Sequence, residues 1–258
     1  DNTITFVSPA ITTGNKWITI VTPGGSVTSV SAMSITKATP TLSSFTNISK
    51  NYGDSSFTLT DPTVGGSVAG TFSYSSGTTA VATISASTVT VAGLGTSVIT
   101  ATFTPTDTAK YNTATITMTL TVSKGNIAQP NAPNASATSG TLHSIDLTWT
   151  AATGAGSYTA IIYAADGTTV IKTVTGLSGT SATIADALLV NNTGYKVTIT
   201  AIGNSNYNDS SASSLSTLVT TANSYSISYN SNSADSGSTP TSGSYITGAS
   251  GTLVSANS

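Results

Sequence analysis

The sequence contains no cysteine, no arginine and no glutamate. Without cysteine, the chain can form neither a disulfide nor a thiolate metal site. Only 6% of its residues carry charge, and the formal net charge is −2. Soluble domains typically have about 25% charged residues. A chain that is solvated by hydroxyl and amide groups instead of ions is typical of exported surface proteins, so we predict an extracellular location.

Two further absences exclude classes of partner. The lysines are scattered, so no basic stripe is available to neutralise nucleic-acid phosphates. No apolar run reaches the ~18 to 20 residues needed to cross a bilayer, and the sequence therefore predicts no membrane span. The chain starts at Asp1 without an initiator methionine or a secretion segment, which indicates a mature product or a piece of a longer chain.

The single histidine limits the enzymatic chemistry that we can expect. With no cysteine or glutamate, a His-based zinc site, a papain-like dyad and a glutamate-pair glycosidase are excluded. A serine triad would need His143 as its base, but no Gly-x-Ser-x-Gly elbow is present. We predict that His143 is an exposed loop residue and that the chain is not an enzyme and needs no cofactor.

Alternation of apolar and hydroxyl residues is the dominant pattern that is present. From Ala114 to Ser123 every second residue is apolar and most of the others are threonine, which suits a half-buried strand. No segment shows the 3.6-residue recurrence of an amphipathic helix. The sequence therefore predicts an all-β fold of tandem antiparallel β-sandwich modules with partial β segments at both flanks.

Residues 37–124 contain short strand candidates separated by Gly-rich turns, as in an antiparallel sandwich. The sequences Val81-Ala82-Thr83-Ile84 and Gly93-Leu94-Gly95-Thr96, followed by an Ile-Thr-Ala strand, resemble bacterial immunoglobulin-like repeats of large surface proteins. The continuation 105–112 is similar to a subgroup found in adhesin-like chains. The resemblance implies an Ig-like sandwich. The predicted strands are 41–45, 56–60, 70–75, 80–85, 88–92, 97–104 and 114–123.

A Pro-containing linker is predicted at 125–133, followed by a second module at 134–222. This module resembles a fibronectin type III domain through Trp149, Tyr158, Leu189 and Tyr195. The resemblance implies that Trp149 fills the space between two sheets and that Tyr195 forms a tyrosine corner near Leu189. The proline and charged residues that usually precede that tyrosine are absent, and residues 190–194 read Val-Asn-Asn-Thr-Gly instead. The predicted strands are 145–149, 157–164, 170–175, 181–184, 194–202 and 214–221.

The two flanks contain partial β segments. Residues 1–36 offer strand candidates at 3–7, 16–21 and 27–35, and Trp17 is expected to be their largest core residue, with an exposed sugar-stacking platform as the alternative. Residues 223–258 resemble the first half of a Listeria-Bacteroides β-grasp-like repeat, with a Tyr-x-Ile-x-Tyr strand. The aromatic second half of that repeat is missing, so we expect the natural chain to continue.

Aspartates and tyrosines are the candidate binding residues. Asp54, Asp61 and Asp107 lie at predicted turns and are candidates for a calcium site, with solvated turn aspartates as the alternative. The tyrosines that can stack on a sugar are Tyr74, Tyr111, Tyr207, Tyr225 and Tyr229.

Three functions remain open at this stage. The first is a non-catalytic stalk, spacer or adhesive segment of a large exported bacterial cell-surface protein, whose partners are the neighbouring modules of the same chain. The second is a subunit of a self-assembling filament or surface layer, in which residues 1–36 add a strand to a neighbouring copy. The third is an adhesin module that binds surface glycans. Because Tyr111-Asn112 and Tyr207-Asn208 hold comparable places in their modules, we expect a shared structural role for them.

Overall fold

A computed structural model describes residues 14–17, 19–28, 33–228 and 242–247. The chain divides into two compact units, Asp1–Ser123 and Lys124–Ser258. Nearly all of the regular structure is β, and one short 3-10 turn at Gly65–Ser67 is the single helical element in the described ranges. Each unit contains a sandwich of two facing sheets, so the predicted all-β sandwich fold is confirmed.

The first unit forms a sandwich from a four-stranded and a three-stranded sheet. Its strands are β1 (Gly14–Lys16), β2 (Thr19–Thr22), β3 (Gly25–Thr28), β4 (Met33–Ile35), β5 (Leu42–Ser43), β6 (Ile48–Asn51), β7 (Phe57–Thr58), β8 (Thr63–Val64), β9 (Gly70–Ser76), β10 (Ala82–Ser85), β11 (Thr88–Val91), β12 (Gly95–Pro105) and β13 (Ala114–Ser123). The sheets have the orders β6-β13-β12-β9 and β10-β11-β7, and β5 pairs with β8.

Alternation along β12 and β13 builds the core of this unit. Ile99 and Met118 are directly opposite each other, and both are buried, as is Leu120. They pack in one cluster with Ala82 and Val89 from the facing sheet. Each large apolar side chain buried in this way contributes about 1.5–3 kcal/mol. The threonines between them point to the opposite face of the sheet, as the two-residue period requires.

Strand β6 is not predicted by the sequence, and it pairs in parallel with β13. The register places Ile48 beside Leu120 and Asn51 beside Ser123. Two bonds extend the pairing at its ends: the Asn47 Oδ1 accepts the Thr119 N–H at 2.8 Å, and the Tyr52 N–H donates to the Ser123 carbonyl at 2.8 Å. The first and last strands of this sheet pair are therefore neighbours that run in the same direction.

The prediction that Trp17 is a core residue is wrong. Its side chain is 61% exposed. The neighbouring strands form only two-stranded ribbons, β1 with β4 and β2 with β3. A two-stranded ribbon has no second layer to bury a large side chain. The predicted strand 3–7 lies outside the described residues, and the predicted strand 27–35 corresponds to the ends of β3 and β4.

The second unit is also a sandwich of three and four strands. Its strands are β14 (Gly125–Asn126), β15 (Asn134–Ala137), β16 (Ser144–Thr148), β17 (Ala155–Ala164), β18 (Val170–Leu177), β19 (Ser181–Ala185), β20 (Gly194–Gly203), β21 (Tyr207–Asn208), β22 (Val219–Thr220), β23 (Ser224–Ile227) and β24 (Gly243–Ile246). The sheets have the orders β15-β16-β19 and β18-β17-β20-β22, and β14-β21 and β23-β24 are separate pairs.

The first residues of the predicted linker 125–133 pack on the second sandwich. Gly125 and Asn126 make up β14, and Ile127 is 6% exposed within the main core cluster. The Gln129 Nε2 donates to the Ala212 carbonyl at 2.5 Å. Prolines favour an extended backbone, and here that backbone lies against the sandwich instead of spanning a gap.

A serine ladder takes the place of most of the predicted strand 214–221. Residues 209–218 run along β20 as irregular chain, and only Val219–Thr220 form a strand. At three positions a serine N–H donates to a β20 carbonyl, and the serine Oγ accepts the N–H of that same β20 residue, all at 2.8–3.0 Å. These pairs are Ser210 with Ala201, Ser213 with Ile199 and Ser216 with Val197.

The spacing of the ladder explains its chemistry. The serines are three residues apart, whereas their partners on β20 are two apart, so each step carries one extra residue, as in a β-bulge. The extra residue moves the main-chain carbonyl away from β20, and the serine hydroxyl replaces it as the acceptor. Each hydroxyl also donates to the carbonyl of the next residue, at 2.7–2.8 Å. Each of the three β20 N–H groups and each of the three serine hydroxyls thereby has a hydrogen-bond partner.

Candidate functional site

The chain that enters each sandwich is fixed by a tyrosine–asparagine pair near the end of that sandwich. In the first unit, Ala38 forms a parallel bridge with Tyr111. The Ala38 N–H donates to the Lys110 carbonyl at 2.9 Å, and the Asn112 N–H donates to the Ala38 carbonyl at 2.8 Å. The Asn112 side-chain amide adds a bond to the Thr39 Oγ1 at 3.1 Å. We call this arrangement a Tyr-Asn bridge.

The second unit repeats the Tyr-Asn bridge. Gly125 and Asn126 pair in parallel with Tyr207 and Asn208. The Gly125 N–H donates to the carbonyl of Asn206, the residue before the tyrosine, at 3.0 Å. The Asn208 side-chain amide donates to the Asn126 Oδ1 at 2.9 Å. In both units, a Tyr-Asn dipeptide therefore binds the residue that follows an exposed lysine. That residue is Ala38 after Lys37 and Gly125 after Lys124.

The candidate tyrosines occupy different environments. Tyr74, Tyr111 and Tyr207 are half-buried, and the ring of Tyr207 lies against Gly154, where a Cβ atom would be 2.6 Å from it. Tyr225 on β23 is 57% exposed. Tyr229 lies outside the described residues. Tyr111 and Tyr207 are brought into equivalent bridges, whereas Tyr74 belongs to a separate cleft.

The candidate aspartates have separate partners and do not cluster. Asp54 accepts a turn N–H at 2.9 Å, and the Asp61 Oδ1 accepts the Tyr74 hydroxyl at 2.6 Å. Asp107 pairs with the Lys110 ammonium at 3.0 Å, which holds the pKa of that carboxyl below its usual range. Within the described ranges, no three acidic or histidine side chains lie close enough to hold a metal ion. The structure therefore does not bring the three candidate aspartates together, and each has the local partners of a separate aspartate.

A cleft of about 460 Å³ lies at one edge of the first sandwich, between β9 and the turn that joins β10 to β11. Phe72 and Tyr74 are alternate residues of β9, and their rings are 6.3 Å apart at an angle of 19°. Burial, reinforced by the bond to Asp61, raises the pKa of the Tyr74 phenol above its usual range. This cleft brings together one tyrosine and one aspartate from the two candidate sets. Phe72 is missing from both, because its strand pattern indicates only a core position.

Four residues from the second-module resemblance lie in the core of the second unit. Trp149 and Tyr158 are 7% and 6% exposed, with ring centroids 5.3 Å apart, and Leu189 is fully buried. The Tyr195 hydroxyl accepts the N–H of the residue after Leu189 at 2.7 Å. The chain thus folds back over the tyrosine at a corner between the two sheets.

His143 supports this corner, and the prediction of an exposed loop histidine is wrong. The side chain is half-buried. Its Nδ1 lies 2.7 Å from the Leu189 carbonyl, so this nitrogen carries the proton and donates. The His143 N–H also donates to the Asn191 Oδ1 at 3.1 Å. The structure thus places the only histidine of the sequence in a positioning role, through its bonds to Leu189 and Asn191.

Comparisons with known proteins give structural similarities alone. No family model matches the chain, and no curated protein matches it. Similar solved structures include an Fn3-like protein from Clostridium thermocellum (24% identity, 36% of this chain and 90% of that chain, TM-score 0.28). The FN1-FN3 domains of chicken CNTN1 are 14% identical, with 65% of this chain and 62% of that chain covered and a TM-score of 0.34. The BSP domain of a biofilm associated protein is 17% identical, with 71% of this chain and 29% of that chain covered and a TM-score of 0.25. The fold class rests on the strand orders given above. Over the described ranges, no helix is long and apolar enough to span a membrane.

Proposed function

We propose that this chain is a non-catalytic structural segment of a large exported bacterial cell-surface protein, in which tandem sandwiches act as a stalk or spacer. The proposal includes the assignment of the first sandwich as a bacterial Ig-like repeat, the second as a fibronectin type III module and residues 223–258 as the start of a β-grasp-like repeat. The low charge and the lack of cysteine support an exported chain that does not depend on ion pairs or disulfides.

The parallel pairing of β6 with β13 is the observation that carries the proposal. When the chain is pulled from both ends, β6 is drawn towards its start and β13 towards its end. Because the two strands are parallel neighbours, this force makes them slide past each other. All hydrogen bonds between them then carry the load together. The Ala38–Tyr111 bridge, also parallel, is loaded in the same direction.

The second unit has a related arrangement at its start. Force arriving along Lys124 meets the parallel bridge of Gly125 with Tyr207 before it reaches the rest of the sandwich. A stalk needs both its modules and the first residues of each module to resist extension. The ion pairs between described residues of the two sandwiches, Lys110 with Asp107 and Lys172 with Asp186, lie at the surface, where such pairs contribute little. We therefore expect resistance to force to change little with salt.

Force spectroscopy on the full chain tests this function. The chain has no natural cysteine, so two introduced cysteines are its only thiols for attaching handles. In the pair Lys37→Cys with Lys124→Cys, force slides β6 along β13. In the matched pair Ser55→Cys with Lys124→Cys, both handles lie near the same end of β6 and β13, because Asn51 is beside Ser123. Force then opens the bonds one after another.

We expect a clearly higher rupture force for the Lys37 and Lys124 handles at the same loading rate. The difference should persist when the salt concentration is raised. Equal rupture forces for the two pairs, or a lower force for the sliding geometry, would contradict the stalk proposal. The alternative of strand donation by residues 1–36 depends on a segment whose first thirteen residues lie outside the described part of the chain.

A further inference from the structure

We propose that the cleft at the edge of the first sandwich is a binding site for a neutral saccharide. This goes beyond the spacer role, because it gives the segment a ligand of its own. The cleft lies between the edge strand β9 and the β10–β11 turn, and its volume is about 460 Å³. Its lining residues are Asp61, Phe72, Ser73, Tyr74, Ala86 and Ser87.

The aromatic residues form a platform on one side of the cleft. Phe72 and Tyr74 project from the same face of β9, and their rings are 19° from parallel with centroids 6.3 Å apart. Phe103 packs against Phe72 at 5.1 Å, and Phe45 packs against Tyr74 at 6.1 Å. These contacts hold both rings in place, while each ring stays partly exposed. Two fixed rings with nearly parallel planes, each partly exposed, offer apolar surface for the C–H face of a pyranose ring.

The polar groups of the cleft are suited to sugar hydroxyls. The Asp61 Oδ1 accepts the Tyr74 hydroxyl at 2.6 Å, which fixes the carboxylate beside the platform. Its Oδ2 makes no hydrogen bond with the described part of the chain and is available as an acceptor. The Ser87 hydroxyl lies on the opposite wall. A carboxylate beside aromatic rings accepts hydrogen bonds from hydroxyls while the rings exclude water.

The charge of the cleft selects neutral ligands. Asp61 is the one charged residue among its lining residues, and no lysine or histidine is present there. An acidic sugar would therefore bring a second negative charge close to Asp61 without a compensating cation. The wall opposite β9 is formed by Ala86, which has a φ of 53° in the two-residue turn between β10 and β11. Glycine or asparagine is usual in that left-handed conformation, so the wall is held in a strained shape.

Aromatic NMR of the full chain tests the proposal directly. The protein, with labelled phenylalanine and tyrosine, is titrated with cellotetraose, mannotetraose and lactose, and with digalacturonate as the acidic probe. We expect at least one neutral sugar to shift the Phe72 and Tyr74 resonances, and digalacturonate to leave them unchanged. Neutral sugars that leave both residues unshifted at ~10 mM, where even a millimolar site is mostly occupied, would overturn the proposal. So would a stronger effect of digalacturonate.

Variants locate the binding in the cleft. Phe72→Leu keeps an apolar side chain against Phe103 but removes half of the platform, and we expect affinity for the shifting sugar to fall roughly tenfold. Asp61→Asn keeps an acceptor for Tyr74 and removes the charge, so digalacturonate should gain affinity relative to the neutral sugar. Asp61 is exposed, which makes this variant informative even if Phe72→Leu perturbs folding. Tyr225→Leu removes an exposed aromatic ring of the second unit and is the matched control.

Each result of the variant measurements either supports or overturns the saccharide proposal. Equal affinity of Phe72→Leu and the unchanged protein, in a variant whose amide spectrum shows a folded first unit, would overturn the proposal. Loss of binding in Tyr225→Leu would also overturn it, because the sugar would then sit elsewhere. Neither result bears on the force measurements above, since Phe72 and Asp61 lie outside the β6–β13 pair and the Tyr-Asn bridges.

Discussion

Replacing Ser213 by alanine removes the middle step of the serine ladder. The residue is 6% exposed, and its hydroxyl accepts the Ile199 N–H at 2.9 Å and donates to the Ser214 carbonyl at 2.8 Å. Alanine leaves the Ile199 N–H buried without an acceptor, which costs about 1–3 kcal/mol. A domain of this size has a free energy of unfolding of about 5–15 kcal/mol. We expect a loss of about 2 kcal/mol, which lowers the Tm of the second unit by roughly 8–16 °C.

Urea unfolding of the full chain, followed by tryptophan fluorescence, measures this loss. Trp149 is 7% exposed and Trp17 is 61% exposed, so the change in emission reports mainly on the second unit. Ser214→Ala is the matched control, because Ser214 is exposed and only its carbonyl takes part in the ladder. We expect the control to unfold within ~0.5 kcal/mol of the unchanged chain. If Ser213→Ala also falls within that margin, the hydroxyls do not replace main-chain acceptors and the reasoning is wrong.

Four further predictions concern single side chains. Tyr195→Phe removes the hydroxyl bond at the corner and should lower the unfolding free energy of the second unit by about 1–3 kcal/mol in the same urea assay. Asn208→Ala should speed hydrogen exchange at Gly125, with exchange in β18 unchanged as the internal control. Tyr74→Phe should remove one phenol that ionises above the usual tyrosine range in an ultraviolet titration, because burial and the bond to Asp61 raise the pKa of Tyr74. The Lys172 ammonium, 2.7 Å from the Asp186 carboxylate, lowers the pKa of Asp186. The ion pair therefore stabilises the fold above the ordinary carboxyl range, and this stabilisation is lost as the pH falls below about 4. Asp186→Asn should reduce that loss of stability in acid, measured by urea unfolding at several pH values.

Long alternating strands could be predicted from the sequence, whereas short ones could not. The bounds of β13, Ala114–Ser123, were predicted correctly because ten residues alternate without interruption. Strand β6 was missed because Ile48–Asn51 contains one apolar residue beside Lys50 and is stabilised by a partner distant in sequence. Most of the serine ladder was predicted as a regular strand. The three-residue spacing of its serines indicates no structure until the two-residue spacing of their partners on β20 is known.

The candidate site shows the same limit. The sequence indicates Tyr111 and Tyr207 as equivalent positions, but it cannot show that each binds the chain entering its own sandwich. It indicates Asp61 and Tyr74 only as members of separate sets, because a separation of 13 residues does not show that the chain folds back to bring the carboxylate before β8 onto the phenol of β9. Trp17 shows the reverse error: a large aromatic residue predicts burial only where a second layer exists to cover it.

The serine ladder closes the outer edge of the second unit's four-stranded sheet. An open edge of regular strand is a template on which a strand of another molecule can add. Along residues 209–218, successive bonded positions fall three residues apart, so an incoming strand with its two-residue repeat finds donors and acceptors out of step. Neighbouring sandwiches in one long polypeptide are held at high local concentration, where such mispairing is a hazard during folding. The three serines thus make this sheet edge a poor pairing partner for a strand of a neighbouring sandwich.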